Sequence, residues 1–169
     1  MLRPLDIVIL LKIHCKKDQP WSQMSLAKEL HISSRSVNEG LKRAAESRLY
    51  SPRSRKVNSA ALEQALVSGV RWYMPPVRGG LVRGMPTGWA GPSLEEKILA
   101  ADDDLRPVWP DPEGSVVGIS LDPLHPSVPM AVKEDRPLYE VLSLVDALRD
   151  GRARERSLAA EEISRRLNS

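Results

Sequence analysis

Between Ser33 and Arg43 the chain reads SSRSVNEGLKR, a stretch rich in small hydroxyls, an amide and basic groups. Wound as a helix, it turns Val37 and Leu41 to one side. Ser34, Arg35, Ser36, Asn38, Glu39, Lys42 and Arg43 then fall on the other side, with Ser33 at the start. An Arg in such a row can bond guanine in a bidentate pair, and an Asn can do the same with adenine. Small serines permit close approach to bases or phosphates. Lys42, Arg43 and the helix N-terminus suit phosphate oxygens. A second basic cluster follows at Arg53, Arg55 and Lys56, inside YSPRSRKVN. It is placed to reach a flanking backbone or minor groove. The chemistry expected of these eleven residues is recognition of double-stranded DNA.

The remaining reactive residues point to no second chemistry. His14, His31 and His125 have no metal-ligand spacing with one another or with Cys15, so no metal or other cofactor is expected. No Ser/His/Asp or Cys/His arrangement can be argued, and an enzyme is not expected. The segment VRGGLVRGMPTGWAGP lacks the Gly-Lys-Ser/Thr ending of a phosphate loop. It reads as an ordered Gly/Pro loop over the core, anchored by Trp89. A second reading sends Arg78 and Arg83 into a minor groove. The acidic run at 101–104 reads as solvated loop, with cation binding as the alternative. Cys15, at the end of an apolar helix, reads as a small buried hydrophobe rather than a redox sensor.

The elements expected to position these groups are mainly helical. RPLDIVILLKIHCKK is apolar on most of its circumference, as a central core helix is, and Asp18, Gln19 and Pro20 end it. Trp21 is expected in the core. Ser25 would cap a second helix over Leu26–Leu30, His31-Ile32 would form the turn, and Ser33 would cap a third helix to about Arg48. Residues 50–58 read as a short basic hairpin or loop. A fourth helix, Ser59 to Tyr73, would bury Leu62, Ala65, Leu66, Val70 and Trp72 or Tyr73. Ala27 and Gly40 would let neighbouring helices cross closely. With five Gly and four Pro, 74–92 is expected to be neither helix nor central strand. A helix capped by Ser93 is expected over 93–101, loop over 102–114, a strand at 115–121, and Pro-punctuated loop to about 135. The last 33 residues read as two helices. One bears Leu138, Val141, Leu142, Leu144, Val145 and Leu148. The other bears Leu158, Ile163 and Leu167. The organisation expected is a DNA-binding unit at 1–74, a Gly/Pro-rich segment at 75–136, and C-terminal helices at 137–169 whose apolar stripes join two copies into a homodimer.

Residues 5–57 resemble the winged helix-turn-helix domains of bacterial transcription regulators, loosely of the MarR type. The resemblance is carried by PWSQMSLAKELHISSRSVNEGLKRA, which follows their pattern of Trp-Ser/Thr-Gln, Leu-Ala, Ile-Ser and Val. It covers about a third of the chain. It implies a mainly α fold with a winged helix-turn-helix, a recognition helix starting at Ser33, and a wing at 50–58. The tail after Met74 matches no sensor domain.

Charge agrees with that reading. Residues 1–60 hold twelve Lys and Arg against five Asp and Glu, whereas the other 109 residues hold thirteen against seventeen. A basic module on a mildly acidic remainder suits a nucleic-acid partner. The lone Cys15 fits a reducing cytoplasm. No apolar run reaches the roughly 18 residues of a membrane span, and no cleavable leader is expected. The expected function is a DNA-binding regulator, a homodimeric repressor. The alternative is an antitoxin or adaptor subunit gripping a protein encoded nearby, and RNA binding through the same basic face ranks third.

Overall fold

The computed structural model describes residues 1–100 and 104–169, so most of the acidic run at 101–104 lies outside the described residues. Helix α1 spans Pro4–Lys16 and is buried on nearly all sides from Asp6 to Ile13. Helix α2, Gln23–Leu30, begins two residues before the expected Ser25 cap. Ser22 is the cap instead. Its hydroxyl accepts from the Ser25 N–H at 3.0 Å while the Ser25 hydroxyl accepts from the Ser22 N–H at 2.9 Å. The two serines thereby satisfy two N–H groups at the helix end reciprocally. Helix α3 spans Ser34–Glu46, followed by strands β1 (Tyr50–Ser51) and β2 (Lys56–Val57), an antiparallel hairpin of two residues a side. Helix α4 is Ser59–Tyr73. It buries Leu62, Leu66, Gly69 and Val70, but Trp72 and Tyr73, one of which was expected inside, are both exposed. Val70 and Met74 occupy the inward positions of that last turn instead.

The middle of the chain departs most from expectation. Residues 78–86 form strand β3, Arg78–Pro86, flanked on both sides by β4 (Pro107–Pro110) and β5 (Val116–Leu121). Strand β3 is antiparallel to both, β4 and β5 pair in parallel, and the three close on one another as a small barrel. The glycines that argued against a central strand are what permit it. A Cβ on Gly84 would stand 2.0 Å from the Trp109 carbonyl oxygen, and one on Gly118 would stand 2.1 Å from that of Arg106. Backbones that tightly coiled leave no space for side chains at those positions. Gly79 and Gly80 fall in the register shift between Arg78 and Leu81. Pro86 ends the strand. The aromatic anchor is Trp109, 1 % exposed, whereas Trp89 is half-buried.

Of the helix expected over 93–101, the described residues 93–100 form a single 3-10 turn, Glu95–Lys97, and residue 101 lies outside the described residues. Leu94 is drawn fully into the core, and the Ser93 hydroxyl accepts from Arg166 at 3.3 Å instead of capping a helix. Residues 107–110, expected as loop, supply β4, and the Pro-punctuated loop contains the short helix α5, Val128–Ala131.

Helices α6, Arg136–Asp150, and α7, Ala153–Leu167, fall where the periodicity put them. Their stripes are not free to join two copies. Leu138, Leu142, Val145, Ile163 and Leu167 are all buried within the chain, in one cluster that also takes in α1 and α4. A buried Asp146 ties this helical part to the barrel. It accepts from Thr87 Oγ1 at 2.7 Å, from Trp109 Nε1 at 2.6 Å and from Arg149 at 2.7 Å. Burial raises the Asp146 pKa above the usual carboxylate range despite these partners. The fold is helical over most of its described length, with two small sheets, and among the described residues no helix is long and apolar enough to cross a membrane.

Candidate nucleic-acid interface

Helices α2 and α3 meet through a tight turn. His31 takes the left-handed conformation, φ 55°, and the Ile32 N–H donates to the Ala27 carbonyl at 3.0 Å. Ile32 packs against the core at the corner. The Ser33 hydroxyl accepts from the Ser36 N–H at 3.0 Å and lies 2.9 Å from the Ser36 hydroxyl, so Ser33 is the cap that the sequence indicates. Val37, Leu41 and Ala44 bury the inner side of α3.

Helix α1 crosses behind α3 at Gly40. A Cβ there would meet Ile9 Cδ1 at 2.6 Å and Asp6 Oδ1 at 2.9 Å, so a side chain at this position would force both of those to shift. Beside it, fully buried Asp6 accepts two hydrogen bonds from the Arg43 guanidinium, at 2.8 and 2.9 Å. Arg43 is therefore engaged with α1, where sequence reasoning had set it toward phosphate. A carboxylate in an otherwise apolar helix was the signal for this partnership. Such a group is tolerated only with a cation or donors beside it.

The rest of the outer face is open. Ser34, Arg35 and Lys42 are exposed, and Ser36, Asn38 and Glu39 are partly so. Arg35 Nε donates to Glu39 at 2.8 Å, one turn along, and this bond holds the Glu39 carboxyl below its usual range. The pair lays the Arg35 side chain along the helix while leaving it 86 % exposed.

In the hairpin, Arg53, Arg55 and Lys56 are all exposed. Arg55 adopts φ 56°. Its guanidinium stacks 4.2 Å from the centre of the Trp21 ring and donates to the Trp21 carbonyl at 2.9 Å. Trp21 in turn lies 6.5 Å from Tyr50 at 55°. The hairpin is thus clamped to the start of α2, leaving a concavity of about 440 Å³ between it and α3. Asn38, Leu41, Lys42 and Arg55 are among its walls. Of the predicted residues, Asn38 and Lys42 from α3 and Arg55 from the hairpin line this groove, whereas Ser34, Arg35, Arg53 and Lys56 are exposed outside it. Asp6 and Trp21 hold α3 and the hairpin in place, and Trp21, expected in the core, is half-buried beneath Arg55.

Elsewhere, Arg78 pairs with Asp150 at 2.7 Å, and Arg83 donates to the Gly114 carbonyl at 3.3 Å. Both arginines lie on the barrel. The predicted groove is formed by α2, α3 and the hairpin. Comparison of the chain with protein-family models, with curated proteins and with solved structures gives no match.

Proposed function

We propose that this chain is a sequence-specific regulator that binds duplex DNA through a winged helix-turn-helix and represses by covering a promoter. In this reading α3 enters the major groove. Arg35 and Asn38 read base edges, Ser34 and Lys42 approach the backbone, and the hairpin residues Arg53, Arg55 and Lys56 act as a wing on flanking phosphates. The observation that carries it is the outer face of α3. Its inner side and cap are fixed by Val37, Leu41 and Ser33, while Arg35 and Lys42 project outward from a helix anchored on α1. The exposed Arg35–Glu39 pair is weak enough for Arg35 to exchange Glu39 for a base edge.

The test is binding of promoter fragments from the source genome across a salt series. Affinity should fall steeply with salt, with a slope of about −0.9 per phosphate neutralised. Arg35→Ala and Asn38→Ala should each cost on the order of 1–3 kcal/mol on the operator and little on random DNA. Arg53→Ala and Lys56→Ala should weaken both DNAs about equally. A flat salt dependence, or four variants that behave alike, overturns the reading.

One observation favours a second reading. Leu81 and Val117 are exposed on neighbouring strands of the barrel. Two exposed apolar side chains on a face that also carries Arg83, opposite Val117, support an adaptor or antitoxin that also grips a protein, and this is compatible with DNA binding by the N-terminal part. Co-expression with the product of the neighbouring gene, followed by purification as a complex or apart, discriminates the two.

A further inference from the structure

The stripes on α6 and α7 are consumed inside the chain, yet another apolar face is left outside. Along α4, Ala60, Gln64, Val67, Ser68 and Trp72 are exposed. Beside them α7 exposes Ala153 and Ser157 and half-exposes Ala160. In a chain with 28 % charged residues, these eight positions carry no charge. Uncharged positions around an exposed aromatic residue, with Arg as the charged neighbour, match the composition of an interface core.

The relief of this face is specific. Trp72 stands out from it, 71 % exposed. The ring forms one wall of a groove of about 260 Å³, whose other walls include Val67, Leu148, Ala153, Ser157 and Ala160. Arg71 and Arg156 stand at its edge, and neither is ion-paired with a carboxylate among the described residues. Arg71 already lies 4.9 Å from the centre of the Trp72 ring, and Arg156 donates to the Gly151 carbonyl at 2.7 Å. An apolar slot edged by guanidinium groups complements an electron-rich indole face. The same surface that offers the slot offers the indole. A patch with a knob and a matching hole is self-complementary, which is what a two-fold interface requires.

We propose that the α4–α7 face joins two copies of this chain about a two-fold axis, with Trp72 of each copy seated in the groove of the other. The proposal does not depend on DNA binding and is tested without DNA. Sedimentation equilibrium of the full-length chain should show a dimer at micromolar concentration. Trp72→Ala should raise the dimer dissociation constant by about thirtyfold or more, the effect of losing a central aromatic anchor. Ala160→Glu, which fills the groove with a charge, should give a monomer with unchanged far-ultraviolet circular dichroism. Ser157→Glu takes its place if Ala160→Glu fails to fold. Mixing the Trp72→Ala and groove-filled variants separates this geometry from a general loss of stability. A mixed dimer keeps one intact knob-and-groove contact, whereas each variant alone keeps none. The mixture should therefore associate more tightly than either variant. A wild-type monomer, a dimer indifferent to both substitutions, or a mixture no tighter than its components overturns the proposal.

Discussion

Replacing Asp6 by Leu removes the group that holds α3 against α1. Asp6 is fully buried, and the Arg43 side chain that meets it in a bidentate pair is 17 % exposed. Breaking a buried pair by deleting one partner costs about 3–5 kcal/mol. Because Arg43 has some access to water, the lower end, about 3 kcal/mol, applies here. The Asp6 carboxylate also accepts the Arg3 N–H at 2.8 Å at the start of α1, and losing that cap adds about 1 kcal/mol. Against a total stability of about 5–15 kcal/mol, the loss is large. Arg43→Met should cost about 3 kcal/mol by stranding Asp6. The double variant should recover much of the sum, since an apolar pair of similar volume replaces a desolvated ionic one. Urea unfolding of the four proteins, followed by circular dichroism, gives the coupling energy. Two single losses that simply add would refute the reasoning. So would an Arg43→Met protein with wild-type stability that has lost DNA affinity, because Arg43 would then be a phosphate contact.

Two further outcomes follow from buried ionisable groups. Burial alone would raise the Glu162 pKa, but side-chain bonds from Lys97, Arg166 and Arg165 outweigh it and hold the carboxyl down to about 2. A lowered folded pKa gives stability that is present above the ordinary value of 4.5 and lost as pH falls from there toward 2. Since Lys97 and Arg165 are 47 % and 69 % exposed, screening leaves on the order of 2 kcal/mol. Urea midpoints measured down the acid limb should fall for the wild type and fall less for Glu162→Gln, and parallel curves would contradict the assignment. The Cys15 thiol is pushed up to about 12, chiefly by burial. Alkylation by iodoacetamide at mildly alkaline pH should therefore be slow in the folded protein and about a hundredfold faster in urea, whereas equal rates would show an accessible thiolate.

The long helices were legible because each writes its own period and ends, whereas the helix expected over 93–101 and the four-residue α5 are too short to do so. Val37 and Leu41 inward with Ser33 as cap, the apolar run of α1, and the faces of α6 and α7 can all be read locally. The hairpin after α3 and the strand at 116–121 were legible too, from a basic loop and an alternating run. The barrel was not. Gly79, Gly80 and Gly84 read locally as loop, and only the approach of β4 and β5 from more than twenty residues away explains them. The cap of α2 was displaced because Ser22 and Ser25 are both capable, and the reciprocal pair favours the earlier one. At the candidate site, exposed Arg35, Lys42 and the hairpin bases followed from the pattern. Arg43 did not, because its partner lies 37 positions earlier on another helix. The stripes of α6 and α7 were correctly found as apolar. Periodicity identifies a face that must be covered but not whether the same chain covers it.

Asp146 has a consequence for how the molecule opens. Its carboxylate is held by Trp109 and Thr87 from the barrel side and by Arg149 from its own helix. Arg149 also donates to the Met74 carbonyl at 2.8 Å, just after α4. Peeling the barrel away alone would strip the carboxylate of two donors and leave it with Arg149 alone, and the lost hydrogen bonds of a buried group are costly. Partial opening along this seam is therefore penalised, and the two parts melt as one cooperative unit. Native-state hydrogen exchange should place the slowest amides of β4 and of α6 on a single isotherm, with one denaturant slope and one opening free energy for both.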